Sequence, residues 1–270
     1  MFPLWDENPT KRTPVVTILL IVACIGVFFG VQPQSDAVGD VAFTYERAAI
    51  PCEIVNGRPL TDAETRATVE NSDFTACAGD EASGPTTFPD KNVWLSVLTS
   101  LFLHGSILHL GGNMLFLWVF GNNVEDHLGR IKYILFYLLA GIAATIAHLA
   151  SALESTIPLI GASGAVAGVM GAYLVWFPTA RVRTIVVIVL LRLPAFVPLG
   201  VWFVSQFFID SGDGIAWRAH VGGFVVGVAV GLMVRAARST ERTAWDPKYV
   251  VEPTPGGWNN RYGGRGDRPW

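Results

Sequence analysis

Six apolar blocks, at residues 15–31, 107–123, 133–153, 163–177, 184–208 and 217–234, constrain this chain more than any other feature. Most approach the ~20 residues that cross about 30 Å of hydrocarbon. Lipid offers no water to a backbone, so each block must satisfy its own N–H and C=O groups, and an α-helix does so. The expected fold class is therefore all-α: a polytopic membrane protein, a bundle of six transmembrane helices. Only 15% of the 270 residues are charged, against about 25% in soluble domains, and the deficit falls in the blocks. The block 163–177 is short. The block 184–208 is long and is interrupted by Arg192, Pro194 and Pro198. A further apolar stretch, 93–103, is too short to span and reads as an interfacial segment leading into the second span.

Basic residues in short loops set the expected orientation. Lys11 and Arg12 precede the first span, Arg130 and Lys132 separate the second and third, Arg181 and Arg183 separate the fourth and fifth, and Arg235, Arg238 and Arg242 follow the sixth. The opposite side carries no basic residue at 155–160, and none from 209 until Arg218. Both termini are thus expected in the cytoplasm of a bacterial-type cell, with the protein integral to the plasma (inner) membrane. The first block follows two basic residues and has no convincing cleavage site, so it reads as a retained signal anchor. The expected organisation is a cytoplasmic N-terminus (1–14), a first transmembrane helix (15–31), an external loop (32–92), a core of spans two to six (93–238) and a disordered, Gly-rich and Pro-rich cytoplasmic tail (239–270). The Arg265-Gly266-Asp267 tripeptide in that tail resembles an adhesion motif by chance. A net charge of −3 without any block of like charge argues against a nucleic-acid partner.

Cys52 and Cys77 both lie in the exported loop, while Cys24 is inside the first span, so Cys52 and Cys77 are expected to pair. The loop has little hydrophobic periodicity, and no fold is assigned to it.

Ionisable and nucleophilic groups in lipid-embedded helices need a reason. Ser163 opens the fourth span within Gly161-Ala162-Ser163-Gly164, and Ala167 and Gly171 follow it at helical spacing on one nearly bare face. A helix that starts at Ser163 aims free N–H groups and a positive dipole end at that serine, where an oxyanion would form. His220 opens the sixth span and shares a face with Gly227 and Gly231, within about 20° on a helical wheel. That glycine stripe is a natural dock for the bare face, which brings a nucleophile and a base together. His109 and Asn113 share one face of the second span and can both donate to a developing negative oxygen. His104 lies just before that span, near the expected external surface.

These pieces together resemble the rhomboid intramembrane serine proteases. The matching residues are His104, His109 and Asn113, then Glu125 and Gly129, then Gly161-Ala162-Ser163-Gly164, then Ala219-His220 with Gly223 and Gly227. The resemblance covers about 93–234 and the first span. It implies Ser163 as nucleophile, His220 as general base, and His109, Asn113 and the Ser163 N–H as an oxyanion hole. His104, Gly161, Gly164, Gly223 and Gly227 would support them. It also implies a six-transmembrane rhomboid-like bundle, transmembrane protein substrates, and span five as a mobile gate. No metal or organic cofactor is required. Some family members stack a tyrosine on the catalytic histidine, four residues after the serine. Here that residue is Ala167, so another group must orient His220, or it is held less firmly.

A Ser–His–Asp triad with Asp210 or Asp213 is conceivable, but a dyad is favoured because those carboxylates are expected to face water. A zinc hydrolase would need His-Glu-x-x-His, and an aspartyl type two intramembrane aspartates; the blocks contain neither. A transporter would line a continuous polar path. Here the only further strongly polar intramembrane candidates are His148, read as a packing or interface residue, and Arg192, read as snorkelling or marking an interfacial start to span five. The remaining alternative is a rhomboid-like, non-catalytic escort for membrane proteins. The sequence leaves the oligomeric state and the physiological substrate open.

Overall fold

A computed structural model describes residues 1–33, 37–79, 82–209 and 216–243. It is mostly helical. Strand β1 (Phe2–Asp6) precedes α1 (Val15–Gly30). Three helices follow in the 32–92 segment, α2 (Ala37–Arg47), α3 (Pro51–Asn56) and α4 (Asp62–Asn71). Then come α5 (Ser96–Thr99) with a 3-10 turn (Ser100–Phe102), α6 (Ile107–Leu128), α7 (Arg130–Leu149) and α8 (Ser163–Trp176). A hairpin of β2 (Arg181–Val186) and β3 (Val189–Pro194) leads into α9 (Phe196–Ser205), a 3-10 turn (Gln206–Phe208) and α10 (Trp217–Thr243).

By length and hydropathy, α7 and residues Trp217–Arg238 of α10 suffice to cross a membrane alone. Helix α6 does so together with Ser96–Phe102, from which it turns by 90°. The helices Val15–Gly30, Ser163–Trp176 and Phe196–Phe208 are apolar but shorter. The break before α6 falls where Ser106 caps the new helix, its hydroxyl accepting from the His109 N–H.

The expected span 184–208 needs correction, since its first half is not helical. Val182, Thr184 to Val187, Ile188 and Val189 are all β-branched, and such residues favour a pleated strand. β1 completes the sheet in the order β1-β2-β3, antiparallel throughout. Hydropathy is blind to this distinction. Pro194 ends β3, and Pro198 lies in the first turn of α9, where a missing N–H leaves no bond unmade. Arg192 consequently sits on β3, exposed and paired with Glu7 at 3.3 Å, rather than reaching along a transmembrane helix. The third block also shifts: its helix begins at Arg130 and stops at Leu149.

The 32–92 segment, left without a fold by the sequence, is built on local signals too short for a periodicity reading. Pro51 starts α3, and Thr61 and Glu64 form a reciprocal capping box on α4. Cys52 and Cys77 are joined. A buried Lys91–Glu53 ion pair and a two-pronged Arg58–Glu64 pair hold the rest. The subdomain grips the strand of chain that leads to α8: Leu159 N–H donates to Ala49 O at 2.7 Å, and Cys52 N–H donates to Ser155 O at 3.0 Å.

The core lies among α6, α7, α8 and α10, around Leu117, Phe120, Tyr137, Val169, Met170 and Tyr173. Small residues bring these helices together. A Cβ on Gly164 would meet Ala144 Cβ at 2.5 Å, and one on Gly168 would meet Ala140 Cβ at 2.6 Å, so α7 and α8 touch through alanine and glycine. Across the next seam, a Cβ on Gly223 would lie 2.1 Å from Gly164 O, and one on Gly227 1.9 Å from Gly168 O. Here α10 rests directly on the backbone of α8. Glu125 closes one end of the bundle, accepting from the N–H groups of Val16 and Thr17 and from the Thr17 hydroxyl at the start of α1.

Candidate active site

The glycine seam between α8 and α10 decides where two side chains meet. Ser163 is the first residue of α8, and His220 lies in the first turn of α10. His220 Nε2 is 2.8 Å from Ser163 Oγ. The first N–H groups of α8 have no partner within the helix, and no side chain caps them. Ser163 and His220 both remain partly exposed, while their neighbours Ala162, Gly164 and Ala165 are buried.

α6 supplies the third side of the site. His109 and Asn113 are one turn apart and both face Gly161. A Cβ placed on Gly161 would stand 2.7 Å from His109 Nε2 and 3.6 Å from Asn113 Nδ2. Gly161 also has φ +116°, a backbone state that only glycine adopts readily. Two independent constraints therefore require glycine two residues before the serine. Gly161 N–H donates to Ser100 O at 2.9 Å, which ties this turn to the segment before α6. Asn113 Nδ2 is buried and has no hydrogen-bond partner among the described residues. Such a donor costs about 1–3 kcal/mol if it stays unmet. It is suited to an oxygen that arrives with a ligand.

His104 is almost wholly buried, its ring 5.2 Å from that of His109 and its Nδ1 3.2 Å from Phe102 O. It backs His109 instead of meeting solvent. His148 is half-buried on α7, its Nδ1 without a partner among the described residues. Beside Ser163 the helices leave a void of about 10 Å³, bordered by Gly141, Ala144, Thr145 and Gly161, room for about one water molecule. Asp210 and Asp213 lie outside the described residues, as does the tail from residue 244.

The sequence reading missed Gln206. Its Oε1 lies 2.7 Å from His220 Nδ1, and the residue is buried. Trp202, one turn earlier on α9, tilts over the same imidazole with ring centroids 5.9 Å apart. The signal was present: Gln206 is an amide within the apolar run Val-Trp-Phe-Val-Ser-Gln-Phe-Phe, and a polar side chain there calls for a partner.

Residues 91–237 match the family model described as Rhomboid domain, more than half of the chain. The chain belongs to the rhomboid family. It is 32% identical over 160 residues to Rhomboid protein 1, mitochondrial, of Saccharomyces cerevisiae, covering 55% of this chain and 44% of the relative. It is 35% identical over 147 residues to Rhomboid protease GluP of Bacillus subtilis, covering 52% and 26%. It is 33% identical over 180 residues to RHOMBOID-like protein 4 of Arabidopsis thaliana, covering 64% and 38%. The chain thus spans less than half the length of these relatives. Family and apolar helices together make it an integral, multi-pass membrane protein of a mostly helical, rhomboid type.

Proposed function

We propose that this rhomboid is an intramembrane serine endopeptidase that cleaves single-span membrane proteins near the outer membrane boundary, with Ser163 as nucleophile and His220 as general base. The observation that carries the reading is the 2.8 Å contact between His220 Nε2 and Ser163 Oγ at the N-terminus of α8. In acylation, Ser163 Oγ bonds to the scissile carbonyl carbon as its proton passes to His220 Nε2, and the carbonyl π pair moves onto oxygen. The Ser163 N–H, Asn113 Nδ2 and a protonated His109 Nε2 receive that oxyanion. The carbon–nitrogen bond then breaks, and the amine leaves with the proton from Nε2. A water molecule gives its proton to Nε2, attacks the acyl-serine and releases the acid, and the proton returns to Ser163. The chemistry calls on no metal or organic cofactor.

A helix in lipid keeps its own hydrogen bonds, so the substrate must unwind before attack. Gly, Ala, Ser or Pro near the outer boundary would favour substrates that unwind readily. In this reading residues 93–238 are the catalytic core, the 32–92 segment is external, both termini face the cytoplasm, and the membrane is the plasma (inner) membrane. The test is cleavage of a fluorescent transmembrane substrate in proteoliposomes by wild type, Ser163→Ala and His220→Ala. Both variants should fall to background. A folded Ser163→Ala protein that cleaves at the wild-type rate overturns the reading. A wild type that binds substrate and never cleaves it favours a non-catalytic escort.

A further inference from the structure

An imidazole can act as a base at Nε2 only if its single proton sits on Nδ1. Three contacts bear on that choice. His220 Nδ1 lies 2.7 Å from Gln206 Oε1. Gln206 Nε2 donates to Trp202 O at 3.0 Å and lies 3.3 Å from Ser205 Oγ. His220 Nε2 faces Ser163 Oγ. The carbonyl of Trp202 can only accept, so it dictates which way the amide points. Turning the amide over would set Oε1 against that carbonyl oxygen and lose a bond. With Oε1 facing Nδ1, and an amide oxygen able only to accept, Nδ1 must carry the hydrogen. Nε2 is then left with its lone pair, aimed at the serine hydroxyl.

We propose that Gln206 is the positioning residue of this site: its Oε1 holds the proton of His220 on Nδ1 and so keeps Nε2 free to take the Ser163 proton. This rests on the serine-protease reading above. Gln206 plays the orienting part that a buried carboxylate plays in a Ser–His–Asp triad. A neutral amide is far less costly than a carboxylate to bury among apolar helices. Its burial keeps water from competing for Nδ1, and Trp202 restrains the ring from one face. The dyad is thereby completed from the 3-10 turn that follows α9, an element that bears neither of its members. It also answers how the histidine is oriented with Ala167 in place of an aromatic residue.

The experiment compares wild type, Gln206→Leu, Gln206→Glu and Ser163→Ala in detergent and in proteoliposomes. It measures kcat and KM against pH, the rate of fluorophosphonate labelling, and thermal melting. Gln206→Leu should lower kcat and the labelling rate about 10²-fold with KM unchanged. Gln206→Glu restores the acceptor and should keep activity within about tenfold of wild type at pH 9. Its carboxylate favours the imidazolium, so the acid limb of its kcat profile should move to higher pH. Among the described residues, His109 and His148 are the titratable groups whose charge bears on His220, and both are unchanged in every variant. Differences between profiles therefore report residue 206.

A ¹⁵N spectrum of histidine-labelled wild type should show His220 with a bare Nε2 and a protonated Nδ1; the opposite tautomer overturns the proposal whatever the variants do. A folded Gln206→Leu with wild-type kcat and pH profile overturns it too. So does equal inactivity of both variants with lowered melting temperatures, which is the mark of a merely structural role. Failure of the underlying reading looks different: Ser163→Ala would then match wild type.

Discussion

Replacing Gly227 by alanine should separate the catalytic pair without touching either member. The added Cβ would lie 1.9 Å from Gly168 O, 2.7 Å from Gly168 C and 2.9 Å from Gly168 Cα. All three are backbone atoms, so no side chain can rotate away. A comfortable C···O contact is about 3.3 Å, so α10 must retreat from α8 by roughly 1.4 Å at that point. His220 is two turns away on α10, about 10 Å along the axis. Even a retreat of roughly 1 Å there stretches the Nε2···Oγ contact from 2.8 Å past hydrogen-bonding range. Overpacking of this kind costs about 1–3 kcal/mol, and a misplacement of about 1 Å costs about 10²-fold in rate. Melting temperature and fluorophosphonate labelling should therefore fall together. Gly171→Ala, whose Cβ would meet Phe224 O at 2.2 Å one turn from His220, should part the same seam and lose stability and labelling together. Gly26→Ala on α1 meets nothing within 4 Å; it should gain about 0.5–1 kcal/mol from helix propensity and keep full activity. Wild-type melting and labelling in Gly227→Ala would refute the claim that this seam sets the distance between nucleophile and base.

Asn113→Ala removes one oxyanion donor and should lower kcat by about 10²–10³ while the Ser163 N–H sustains a residual rate, measured by substrate cleavage. Lys91→Met leaves the Glu53 carboxylate buried without its partner and should destabilise the 32–92 segment by about 3–5 kcal/mol, read by hydrogen exchange of α3 and α4. Burial alone would raise the Glu64 carboxyl, but hydrogen bonds from Arg58, Thr61 and Ala78 hold it down at about 2. A depressed acid contributes stability above its ordinary value that is lost as pH falls through the folded value. Protection of α4 should thus decline between about pH 4.5 and 2, and Glu64→Gln should flatten that decline.

The site was legible in the sequence wherever its parts carried their own spacing. Ser163 and His220 each stand at the head of an apolar block with glycines at helical intervals, and packing those glycines brings the two together. His109 and Asn113 are a turn apart, and Gly161 lies against both. What stayed hidden depends on partners distant in sequence. Gln206 meets His220 only because the 3-10 turn after α9 packs against α10. The burial of His104 was hidden because it depends on the 90° turn before α6. The hairpin at 181–194 was hidden for another reason: an apolar run of β-branched residues reads alike as strand or transmembrane helix, and only pairing with β1 decides. The helices of the 32–92 segment are stabilised by caps, two ion pairs and a cross-link, which leave no apolar period to read.

The most direct measurement of the central claim is the site of a fluorophosphonate adduct. The intact protein is labelled in detergent, digested and mapped by mass spectrometry. The account predicts one adduct, on Ser163, formed at a rate that collapses in His220→Ala although the serine is still present. Labelling elsewhere, or labelling of Ser163 that proceeds equally fast without His220, would contradict it.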